Sequence, residues 1–126
     1  MGEEQKGSRE ETLKLLRELS HALVQRMAKD PMIGFYFAHT DLERLARLEF
    51  QHLARLFGFD IPYEGRPLEE VHYPRRIFEG HFHRRLVLLK EVLEELGAPS
   101  EIRKHWLEMS LKEKDRIVHP HKGACA

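Results

Sequence analysis

Apolar residues recur along this chain at helical intervals, and no apolar–polar alternation marks a strand. Leu16, Leu19, Leu23 and Met27 form one stripe, opened upstream by Ser8-Arg9-Glu10-Glu11, which has capping-box spacing. That helix is predicted to stop at Asp30-Pro31, because the residue before a proline is pushed out of the α region. Met32 to Phe37 is short and very apolar, enough for one tight helical turn. Thr40-Asp41-Leu42-Glu43 is a second capping box and opens a helix running to about Phe57. Gly58, Pro62, Gly65 and Pro67 make residues 59–67 a loop. A third long helix runs from about Glu79 to Leu96, with Phe82, Leu86, Leu89, Leu93 and Leu96 on one stripe. Gly97 ends it, Pro99-Ser100 starts the last helix, and Ile102, Trp106 and Met109 form that helix's buried face.

The pattern predicts an all-α fold. At 126 residues the chain is one domain, read as a helical body over 9–118 between mobile ends at 1–8 and 119–126. Lys+Arg and Asp+Glu both number 21, so the net charge is zero and gives no reason to expect nucleic acid or an anionic membrane as partner. No run approaches the roughly 20 apolar residues a membrane span requires, and nothing reads as a signal peptide, so the expected setting is cytoplasmic. The one cysteine, Cys125, offers neither a disulfide frame nor a thiolate metal cage. It could join two copies into a weak dimer, but as a tail thiol it is expected to be idle in a monomer. Histidine is the anomaly, with nine in a chain this short.

The middle of the chain exceeds a generic helical pattern. Asp30-Pro31 is followed by Tyr36-Phe37, then by the capped helix, then by Tyr63-Glu64-Gly65-Arg66-Pro67-Leu68, and then by His72. With Ile77 and the Phe82 of the next helix, this order resembles the truncated globins, ungapped from about Leu23 to Leu96. The resemblance implies a truncated globin-like helical sandwich holding haem b, with His72 as the proximal iron ligand in an irregular segment between two helices. It makes Phe37 the ring stacked on the porphyrin, and it places Val24, Leu45, Leu53, Ile77 and Phe82 around the haem. Arg75, Arg76 and Tyr63 are candidates for the propionates, as are Arg44 and His81, since a guanidinium suits a carboxylate. The tyrosine that the family often carries on the helix ending at Asp-Pro falls on Val24, so that ligand-binding donor is missing.

Two charged residues stand out where apolar ones belong. Glu49 lies one turn from both Leu45 and Leu53, so its carboxylate must be protonated, paired or aimed at something polar. Arg85 sits between Phe82 and Leu89 on the third long helix. The expectation is that Glu49 and Arg85 face each other across a ligand pocket with His52 nearby, as a set able to polarise bound peroxide, nitrite or oxygen. Alternatively they reach the solvent edge, or His52 becomes a sixth iron ligand. Whether such a protein is an enzyme, with NO dioxygenase or peroxidase-like activity and a reductase partner, stays open.

Other classes compete. Glu49–His52 and Glu18–His21 both have the Glu-x-x-His spacing of di-iron bundles, although Glu18 and His21 lie off their helix's apolar stripe. His81 with His83, and His119 with His121, have the spacing of incidental surface metal pairs. A haem-free globin fold acting as a sensor or interaction module is the remaining reading.

Overall fold

The computed structural model describes the backbone of residues 2–119 and the side chains of residues 8–119. Six α-helices follow one another: α1 (Gly2–Lys29), α2 (Leu42–Leu56), α3 (Leu68–His72), α4 (Glu79–Glu95), α5 (Ser100–Lys112) and α6 (Lys114–Ile117). Two 3-10 turns, Gly34–Phe37 and Tyr73–Arg75, bend the chain before α2 and after α3. No strand occurs among the described residues. Cys125 and His121, and the expected tail beyond His119, lie outside the described residues.

The stripes predict the core well. Leu16, Leu19, Leu23 and Met27 of α1 are buried, with Phe82, Leu86, Leu89 and Leu93 of α4 and Ile102 and Trp106 of α5. Helix α1 packs on α2 and α4, while α3 meets α6. Burial divides accordingly. The main cluster joins α1, α2, α4 and α5, and a smaller one gathers Leu68, Phe82, Leu86, Ile117 and Val118.

Several local expectations shift. Helix α1 begins at Gly2, so the Ser8 box lies inside the helix instead of starting it. The cap of α2 is Asp41, whose side chain accepts from the Arg44 amide at 3.2 Å; Thr40 does not cap it. Leu96 is exposed because α4 stops one residue before it, and Met109 is only half-buried while Ser110 takes the inward position. His72 ends a short helix in place of an irregular segment.

Asp30 shows why an Asp-Pro pair closes α1. One oxygen accepts from the amides of Met32 and Ile33 at 2.9 and 3.1 Å, which turns the chain into the 3-10 segment. The other accepts from Arg84 Nε and Nη2 at 3.0 and 2.7 Å, tying the turn to α4. The Arg84 hydrogen bonds, aided by the two amides against the cost of burial, hold the Asp30 carboxyl below its ordinary 3.8. A depressed carboxyl contributes stability above its unfolded pKa and loses it as pH falls through the folded one. Asp30→Ala should therefore cost about 1–2 kcal/mol in urea unfolding at neutral pH. That difference should shrink below about pH 4, and a pH-independent difference would rule out the charge contribution.

Candidate functional site

A cavity of about 360 Å³ lies where the two clusters meet, a size suited to a small molecule or cofactor. Its apolar wall comes from Ile33, Phe37, Leu45, Ile77 and Phe82, with Ile117 entering from α6. Arg44, Arg66 and Arg75 also line it. The loop before α3 is shaped for this wall. A Cβ on Gly65 would come within 2.4 Å of the Tyr63 ring, so only glycine lets the ring fold back. Tyr63 then donates its hydroxyl to the Arg66 carbonyl at 3.2 Å. Buried Gln51 anchors the same loop by accepting from the Glu64 amide at 3.0 Å.

His72 lines this cavity at the end of α3. Its Nδ1 lies 2.8 Å from the Leu68 carbonyl oxygen. A carbonyl accepts only, so Nδ1 carries the proton and Nε2 keeps a free lone pair, as a metal-ligating imidazole requires. Burial lowers the His72 pKa from 6.5, against the opposing Leu68 hydrogen bond, and keeps the ring neutral.

Glu49 and Arg85 meet in the same cavity, with Arg85 Nη2 donating to Glu49 Oε1 at 2.6 Å. Their side chains are 18% and 20% exposed, so neither has snorkelled to the surface. The second guanidinium nitrogen rests 3.4 Å from Met27 Sδ. Burial alone would raise the Glu49 carboxyl, but the charge and hydrogen bond of Arg85 prevail and hold it below its ordinary value. Tyr63 is shifted up, by burial first and then by the Glu49 carboxylate.

His52 Nε2 contacts Glu113 Oε2 at 2.6 Å, across from α2 to the α5–α6 junction. The ring packs against Tyr63 at 5.6 Å between centroids. Tyr36, which also lines the cavity, hydrogen-bonds His81 Nδ1 at 3.0 Å and the Arg76 carbonyl at 3.2 Å.

The cavity thus gathers Glu49, Arg85, His52, Phe37, Leu45, Tyr63, His72, Arg75, Ile77 and Phe82 from the sequence reading. Three expected residues fall elsewhere. Val24 and Leu53 are fully packed in the main cluster, where an apolar side chain is as well satisfied as against a cofactor. Arg76 adopts a left-handed backbone at φ 54° and is exposed, and only its carbonyl takes part, through Tyr36. The sequence reading missed Glu113 and Gln51, which no local pattern singles out, and it had Tyr36 only as part of the Tyr36-Phe37 pair, with no site role. Glu18 and His21 are exposed on α1, and no group of three or more His, Cys, Asp or Glu is placed to hold a metal among the described residues, so the di-iron geometry is not assembled.

Residues 10–118 match the bacterial-like globin family. A group 1 truncated hemoglobin, GlbN, of Mycolicibacterium paratuberculosis is 32% identical over 76 residues, which is 60% of this chain and 56% of that protein. A group 1 truncated hemoglobin of Tetrahymena thermophila is 27% identical over 78 residues, 62% of this chain and 64% of that protein. The matched stretch thus spans less than two thirds of either relative's length. The Fe(III) form of truncated hemoglobin from Tetrahymena pyriformis superposes with a TM-score of 0.73, at 17% identity over 82% of this chain and 89% of that one. A point variant of the same protein gives 0.76 over the same coverage.

Proposed function

The chain belongs to the bacterial-like globin family, with the truncated-globin fold and the family's general capacity to hold haem iron and bind small gaseous ligands, and from that premise we propose that His72 would hold haem b through Nε2, in a cavity where Glu49 and Arg85 form the ligand site. The observation that carries this reading is the 2.8 Å contact of His72 Nδ1 with the Leu68 carbonyl, which leaves Nε2 with its lone pair at the wall of the cavity. The residues present fit the group: aromatic and aliphatic walls suit a porphyrin, and Arg44 and Arg75 suit its propionates. Bound haem would supply an iron able to take a diatomic or peroxidic ligand.

The chain's own contribution lies in the charged pair. Arg85 is a permanent donor, and Glu49, held ionised, is an acceptor. Together they suit a ligand that both accepts a hydrogen bond and carries a proton, as hydrogen peroxide or nitrous acid does. Oxygen and carbon monoxide carry no proton for Glu49, so Arg85 alone would stabilise them. This favours peroxide chemistry over simple oxygen carriage, with a separate reductase as electron source and a cytoplasmic setting.

The test is the absorption spectrum of the purified protein, ferric and then reduced, with and without carbon monoxide. A Soret band that shifts on adding carbon monoxide is the expected result. No such band even after adding hemin would overturn the reading in favour of a haem-free module.

A further inference from the structure

Glu49 has a difficulty that its pairing with Arg85 does not solve. A carboxylate that takes a proton from a ligand must pass it on, and Arg85 cannot accept one. Resting on the functional reading above, we propose that His52 and Glu113 form a proton relay joining Glu49 to solvent.

His52 follows Glu49 by three residues on α2, which puts the two side chains on one helix face. Both line the cavity, close enough that a protonated His52 would help hold the Glu49 carboxyl down. Beyond His52 stands Glu113, 2.6 Å from Nε2. A carboxylate oxygen accepts, so Nε2 carries the ring proton and Nδ1 is left with a lone pair. The two side chains are 23% and 14% exposed, at the boundary between cavity and surface. Arg116 lies 3.9 Å beyond Glu113 and is 48% exposed, which carries the line of polar groups into solvent.

One proton enters and one leaves in each passage. The Glu49 carboxyl gives its proton to His52 Nδ1, the Nε2 proton passes to Glu113 Oε2 and then to water, and a flip of the neutral ring restores the starting tautomer. The reverse sequence delivers a proton inward, and no electron moves. Glu113 has two tasks here: it fixes which ring nitrogen faces outward, and it takes the proton from that nitrogen. A purely structural role, in which the pair straps α2 to the α5–α6 junction, makes a different forecast.

Two ligands separate these roles in the haem-loaded protein. Hydrogen cyanide binds ferric haem as cyanide and releases a proton inside the cavity, whereas carbon monoxide binds ferrous haem and releases none. Glu113→Gln keeps the size and the hydrogen bond to His52 but removes the proton acceptor. It should slow hydrogen cyanide association by about tenfold or more and leave carbon monoxide association within about twofold. Glu113→Asp should restore much of the cyanide rate, and His52→Phe should reproduce the loss. Unchanged cyanide rates in Glu113→Gln and His52→Phe would overturn the relay, and so would equal slowing of both ligands, the mark of a strap. Failure of the haem reading itself would show separately, as a wild-type protein with no Soret band.

Discussion

Replacing His72 by Ala should abolish stable haem binding, lowering affinity on the order of a hundredfold or more. Loss of outer partners of a metal ligand alone costs ten- to hundredfold, and this change removes the proposed ligand itself. The contact that prepares His72 is internal to α3, since Leu68 supplies the carbonyl four residues earlier along the same turn. The backbone that orients the ring therefore survives the substitution, and only the donor nitrogen is lost. Adding imidazole to the variant should recover part of the Soret band by occupying the vacated position. A variant that keeps the wild-type spectrum without imidazole would show that another side chain holds the iron.

The second large effect is expected from breaking the charged pair on one side only. Arg85→Leu leaves the Glu49 carboxyl in a mostly enclosed wall with no counter-charge. Removing one partner of a buried pair is far more costly than replacing both by apolar groups. The single variant should lose about 3 kcal/mol in denaturant unfolding at neutral pH, and Glu49→Leu combined with Arg85→Leu should regain most of it. The pH dependence follows from the sign of the Glu49 shift. Its folded carboxyl lies below the ordinary value of 4.5, so the pair's contribution is present above about pH 4.5 and fades as pH falls through the folded value. In Arg85→Leu that acid-side loss should disappear, because burial then favours the protonated form. Equal stability of the single and double variants would mean that Glu49 finds water in place of Arg85.

The same pair shows where sequence reasoning is strong and where it stops. That Glu49 needed a partner was legible, because Leu45 and Leu53 flank it on one face and a carboxylate there is costly unless compensated. Arg85 was legible for the same reason on α4. Their meeting at 2.6 Å is a matter of how α2 and α4 are placed, 36 residues apart in the chain. Val24 and Leu53 illustrate the opposite case. Their apolar character says that they are buried, and a core satisfies it as fully as a cavity does.

The sequence by itself determined the features that act over one or two turns. Helical periodicity set the four long helices and their buried stripes, Asp30-Pro31 stopped α1, and the glycines and prolines kept residues 59–67 out of helix. The combined order of Asp30-Pro31, Tyr36-Phe37, the Tyr63–Leu68 loop, His72, Ile77 and Phe82 pointed to the family before any contact was known, since dihedral limits and side-chain spacing are local. Tertiary structure decided the rest. His52 and Glu113 are 61 residues apart, and Asp30 and Arg84 are 54 apart. Which groups pair across a cavity depends on the rotation of each helix about its axis and on where it crosses its neighbours. No short-range pattern encodes that, because it arises from packing all the stripes into one core at once.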